Sequence, residues 1–203
     1  MEIFIPLVVL IFSAILHEVM HGVVAEKLGD PTARVLGRIT LNPIPHLDPI
    51  GSILLPLVGI LSGSGIIFAW AKPVPINPLH FKDPKKDMAL SALAGPLTNL
   101  LIAIIAAQLI KFLPVNETLS PILYIIVLYN LMLTILNLIP IPPLDGSKVL
   151  ASILPDDLAA SYLSIERYGI FILLFLLFFP VGGFSLGDVM RNLIFFSINL
   201  LGL

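Results

Sequence analysis

The sequence predicts an all-α polytopic membrane protein with about five to six transmembrane helices, a re-entrant segment and a small membrane-associated β element. Three observations carry that prediction. Of the 203 residues, 58% are hydrophobic and only 12% are charged, and the mean hydropathy is +1.05, an excess of apolar surface that a water-soluble domain cannot bury. Two runs, 88–110 and 119–141, contain no Asp, Glu, Lys or Arg. A third, 3–25, carries only Glu18 and two histidines as ionisable groups, and at about 1.5 Å per residue it is long enough to cross the hydrocarbon.

The run 3–25 continues past the point where a secretory h-region stops and lacks a basic start, so it reads as the first span rather than a cleaved leader. After it, Gly, Pro, Thr, Arg and Asn dominate 29–49, and the alternation in ARVLGRITL (33–41) predicts one or two short strands, placed at the interface or under cover of helices because bare strand edges are not tolerated in lipid. Residues 50–68 are apolar but broken by Pro56, Gly59 and Gly63-Ser64-Gly65. The next stretch, 70–81, is extended by its own prolines. Beyond the antiparallel pair 88–110 and 119–141, apolar runs at 168–184 and 192–203 complete the chain, which is read as a single domain, 1–203, with a core at 1–150 and accessory helices at 151–203.

Basic residues give the orientation. If 50–68 dips in and returns, then Lys27, Arg34, Arg38, Lys72, Lys82, Lys85, Lys86, Lys148 and Arg167 share one side and only Lys111 and Arg191 face the other. A full crossing by 50–68 removes that asymmetry, so the re-entrant form is preferred, with the basic face cytoplasmic and the chain a multi-pass protein of the cell membrane. The formal net charge of −2 gives no basic face for nucleic acid, and the absence of cysteine leaves nitrogen and oxygen as the only metal donors.

The chemistry is concentrated in the first span. His17-Glu18-Val19-Met20-His21 sets two imidazoles one helical turn apart on the same side, spaced to bind one metal ion, with Glu18 beside them to take a proton from the attacking water and pass it to a leaving amine. Three ionisable groups in the middle of a span are costly without partners, which itself argues for function. A catalytic zinc has three protein ligands and an open position. By position alone the third ligand is Asp145, where the prolines of NLIPIPPLDG (137–146) unwind the chain, or one of Asp48, His46 and His80. His17 lies about 21 Å below the start of its helix, and Asp145 closes its own helix at the same inner side, so depth and topology agree.

HEVMHG at 17–22, AGPLTN at 94–99 and NLIPIPPLDG at 137–146 together resemble the signature set of the site-2 protease family of intramembrane zinc metalloproteases, and LDPIG (47–51) with WAKPVPINP (70–78) resembles its small branch without a PDZ domain. The resemblance covers most of residues 1–150. It implies His17, His21 and Asp145 as ligands of one Zn²⁺, Glu18 as the acid–base, and hydrolysis of peptide bonds within or near the spans of single-span membrane proteins. Asn137 and Asn99 match polar family positions near the active site, as substrate-binding or oxyanion residues, although an amide in an apolar span also serves to tie helices together. Gly95 and Pro96 read as packing and kink residues. The rivals are a transporter or metal carrier using the same cluster and a catalytically dead scaffold that binds membrane helices, against which the complete ligand and base set argues. The substrate is expected to unwind and add a strand to the edge at 33–41.

Overall fold

The structure is a computed structural model, and it describes residues 4–54, 71–114, 116–180, 182, 183 and 185–203. Among these residues the regular structure is entirely helical. Helix α1 spans Phe4–Lys27, α2 is a single turn at Thr32–Val35, α3 runs Pro84–Phe112 and α4 runs Leu119–Leu138. They are followed by α5 (Asp145–Ile153), α6 (Asp156–Leu163), α7 (Glu166–Phe178) and α8 (Leu186–Leu200).

Three helices, α1, α3 and α4, are long and apolar enough to cross a membrane. Their 24, 29 and 20 residues correspond to about 36, 44 and 30 Å, against a hydrocarbon core of about 30 Å. A fourth span is available if α6 and α7, which meet at a 65° bend, act as one. Helices α7 and α8, where the sequence predicts two further crossings, have 13 and 15 residues. That is about 20 and 22 Å, so neither reaches across alone. The run 50–68, expected to be re-entrant, falls largely outside the described residues; Pro49–Leu54 is a π-helical turn.

The centre of the bundle is α3, which packs against α1, α4 and α5. Asp83 caps it by accepting the Lys86 N–H, with Pro84 in the first turn where its missing donor does no harm. Its buried face is built of small residues, among them Ala89, Ser91, Ala92, Ala94 and Gly95, then Ala103, Ala106 and Ala107. Such a stripe lets neighbouring helices come close where lipid gives no hydrophobic drive to association. The apolar core gathers Ala103, Ala106 and Ala107 with Leu123, Val127 and Leu131 of α4 and Ile198 of α8.

The expected strand at 33–41 is not formed. The backbone amides of Val35, Leu36, Gly37 and Arg38 all donate to carbonyls between Pro31 and Arg34, so they are closed into a helical turn and offer no edge to a substrate strand. Helix-ending signals outweigh the alternation: Gly37 takes φ +65°, and the bonds Arg38 N–H to Ala33 O and Gly37 N–H to Arg34 O form the left-handed cap that glycine favours. At the other end Asp30 accepts the Thr32 N–H.

Candidate metal centre

Helix α1 presents His17 and His21 on its inner face, with ring centroids 4.6 Å apart and planes at 88°. Asp145, the first residue of α5, turns back into the bundle, so that its Oδ2 lies 3.0 Å from His17 Nε2 and 3.2 Å from His21 Nε2. All three residues are buried, between 5% and 6% exposed. Two glycines make the approach possible. A Cβ on Gly95 of α3 would stand 2.6 Å from Nε2 of both histidines, and one on Gly146 would stand 2.3 Å from the Leu138 carbonyl oxygen. The first keeps α3 clear of the rings; the second lets α5 start directly against the end of α4, which swings Asp145 inward.

The second nitrogen of each ring decides what the first can do. His17 Nδ1 lies 2.6 Å from Asn99 Oδ1 and His21 Nδ1 lies 2.8 Å from the Ser91 carbonyl oxygen. The orientation of Asn99 is fixed by its amide, which donates to Asn130 Oδ1 and to the Ser13 carbonyl. Both partners are therefore acceptors and both Nδ1 atoms carry a proton, which leaves Nε2 as the atom each ring can offer to a metal. Both Nε2 atoms face Asp145 Oδ2, and with Nε2 deprotonated the three atoms converge as ligands for one cation. The spacing suits one: three ligands at about 2.0–2.1 Å from a tetrahedral zinc stand about 3.3 Å from each other. His17, Glu18 and His21 also offer donor atoms all within 4.8 Å of one another.

Glu18 is half-buried and is held from outside the bundle, its Oε2 accepting the Val74 N–H at 2.7 Å. The other sequence candidates for third ligand lie elsewhere. His46 is buried with Nε2 on the Thr40 carbonyl, Asp48 accepts the Gly51 N–H in its own turn, and His80 bonds Asp30. Asn99 does not fit the expected oxyanion role: it is fully buried, lies behind His17, and its oxygen and amide are both engaged within the bundle. Asn137 stands at the end of α4, half-buried, with its amide on the Leu133 carbonyl.

Three participants were not singled out by sequence reading. Ser91 receives the His21 ring and returns its own hydroxyl to the His21 carbonyl. Asn130 binds Asn99 and donates to Ser13 Oγ. Val74 contributes only a backbone N–H. A signal existed for the first two: Ser91, Gly95 and Asn99 recur at four-residue spacing, one stripe of α3, and Asn130 and Thr134 do the same in α4.

Comparison with known proteins agrees with this geometry. Residues 114–180, which include Asp145, match the profile of the family described as Peptidase family M50. The chain is 36% identical to "Putative zinc metalloprotease YwhC" of Bacillus subtilis (strain 168), across 91% of this chain and 84% of that protein. The chain belongs to peptidase family M50, the site-2 protease family. Within the same group, it is 30% identical to "Putative zinc metalloprotease Rip2" of Mycobacterium tuberculosis (strain H37Rv), over 87% of this chain and 68% of the relative. It is also 30% identical to "Zinc metalloprotease MJ0392" of Methanocaldococcus jannaschii, over 72% of this chain but 33% of that longer protein. No solved structure matches the chain significantly. Among the described residues, the three single helices long and apolar enough to cross a membrane, α1, α3 and α4, carry or frame the His, Glu and Asp cluster.

Proposed function

We propose that this chain is an intramembrane zinc metalloprotease that hydrolyses peptide bonds within or near the spans of single-span membrane proteins, with His17, His21 and Asp145 as zinc ligands and Glu18 as the acid–base. The observation that carries the reading is the meeting of two Nε2 atoms with Asp145 Oδ2 at 3.0 and 3.2 Å, in a family whose relatives are named zinc metalloproteases.

When bound, zinc supplies the Lewis acidity that polarises the scissile carbonyl and acidifies the attacking water. The protein supplies the rest. Glu18 Oε2 is occupied by the Val74 N–H, so Oε1 is the oxygen that takes the proton of the attacking water as its oxygen bonds to the carbonyl carbon. The same oxygen returns that proton to the amide nitrogen as the C–N bond breaks. Buried walls keep bulk water from the ligands. Asn137, at the inner end of α4, is the polar group we assign to the substrate backbone, its amide leaving the Leu133 carbonyl when an extended segment arrives.

The excess of Lys and Arg at this end of the bundle supports a cytoplasmic orientation for it in the cell membrane. On this reading the lipid bilayer is the medium, single-span proteins are the partners, and a crossing beyond α1, α3 and α4 comes from the α6–α7 pair. The test is incubation of the full chain in detergent with single-span membrane substrates. Wild type cleaves, and Glu18→Gln retains one zinc per chain but loses cleavage by at least about a thousandfold. Cleavage by Glu18→Gln at the wild-type rate contradicts the assignment.

A further inference from the structure

Glu18 is held by one hydrogen bond from a segment that is itself held by an unusual residue. Arg38 is 9% exposed, and among the described residues no carboxylate lies within ion-pairing distance of it. Its Nε is buried with no hydrogen-bond partner. A buried guanidinium without a counter-charge is costly, so its remaining contacts carry information about why it is there. Nη2 donates to the carbonyl oxygens of Lys72 at 2.8 Å and Pro73 at 3.2 Å.

The Pro73 carbonyl and the Val74 N–H belong to one peptide unit. That unit is therefore gripped at both ends, its oxygen by the Arg38 cation and its N–H by the Glu18 anion. A cation on the oxygen draws electron density through the amide and strengthens the N–H as a donor, the cooperative effect expected of bonds in series. Pro73 and Pro75 have no N–H, so Val74 holds the one backbone donor between Lys72 and Ile76. The segment is pinned on either side: the Lys72 N–H donates to the His46 carbonyl, and the Asn77 N–H donates to Asp30 Oδ2 at 2.6 Å. The left-handed turn at Gly37 delivers Arg38 to this place.

We infer that Arg38 is a positioning residue for Glu18, acting through the Pro73–Val74 peptide to hold Oε2 in place and leave Oε1 free for the attacking water. The inference rests on the acid–base reading of Glu18. It assigns a function to the proline-rich segment 71–77 that neither its composition nor its lack of ionisable contacts with the metal ligands reveals.

The experiment uses the full chain with a single-span substrate and three variants: Arg38→Gln, Val74→Pro, and both together. Arg38→Gln removes the cation; Val74→Pro removes the N–H, together with the buried valine side chain, in a stretch already flanked by prolines. Each single variant is expected to keep one zinc per chain and a KM within about threefold of wild type, while kcat falls roughly ten- to a hundredfold. The double variant is expected to be no slower than the slower single variant, because both changes break one relay. Wild-type kcat in Arg38→Gln, or effects that multiply in the double variant, overturns the inference. Should Arg38→Gln not fold, hydrogen exchange at the Val74 amide in Arg38→Lys decides: exchange at least about fivefold faster than wild type is expected, since a point charge does not hold both carbonyls, and unchanged exchange overturns it. A wild type as inactive as Glu18→Gln defeats the protease reading instead, and the exchange measurement separates that failure from this one.

Discussion

Along α3, residues 91–99 face α1 with a serine, a bare glycine and an asparagine, whereas residues 103–107 present only alanine to α4 and α8. The first half spends its close approach on polar bonds: Ser91 fixes His21, Asn99 fixes His17, and Gly95 leaves room for both rings. The second half spends the same approach on packing against Leu123, Val127, Leu131 and Ile198. One helix thus separates ring orientation from bundle stability. In lipid, where apolar helices gain little by leaving the solvent, both jobs depend on small side chains, for different reasons.

That separation is breakable, and the largest effect is expected at Gly95. Gly95→Ala places a methyl 2.6 Å from both Nε2 atoms, so zinc affinity falls by more than about a hundredfold while the fold persists, as read by zinc titration and thermal unfolding. Asn99→Leu comes next. It leaves the His17 Nδ1–H and the Asn130 oxygen without partners and lowers zinc affinity roughly ten- to a hundredfold, with some loss of stability because the network is buried. Val127→Ala inverts the pattern: a cavity in the alanine half costs about 1–2 kcal/mol of stability, and zinc affinity stays within about threefold of wild type. If Val127→Ala weakens zinc as much as Asn99→Leu, the two halves are not separate.

The smallest effect is a control outside both halves. Asp30, fully buried between α1 and α2, has its carboxyl held below the usual value. Burial pushes it up, but hydrogen bonds from Thr32, His80 and the Asn77 N–H outweigh that. A group lowered in the folded state contributes stability that is complete above its unfolded value of 3.8 and is lost as the pH falls through the lower folded value. The thermal midpoint of wild type should therefore drop more steeply than that of Asp30→Asn on acidification below about pH 4; parallel curves count against the assignment.

The same contrast explains what sequence reading reached. Helices α1, α3 and α4 were legible because length and lack of charge suffice to define a span, and His17, Glu18 and His21 because their spacing is local. Asp145 needed two further facts, the proline-driven unwinding after Leu138 and the family resemblance, since proximity across 128 residues of sequence has no local signature. The strand expected at 33–41 failed because Gly37 and Asp30 close the segment into a turn before its alternation can matter. Asn130 went unread for another reason: an amide in an apolar span announces a hydrogen bond but not its partner. Arg38 and Val74 were hidden more deeply still, because a backbone N–H carries no residue identity.

The account depends on Asp145 completing the site that His17 and His21 begin. The direct measurement is zinc per chain in purified Asp145→Ala beside Asp48→Ala, each checked for folding by thermal unfolding. One zinc per chain in wild type and Asp48→Ala, with little or none in a folded Asp145→Ala, is the predicted result; a full complement of zinc in Asp145→Ala contradicts it.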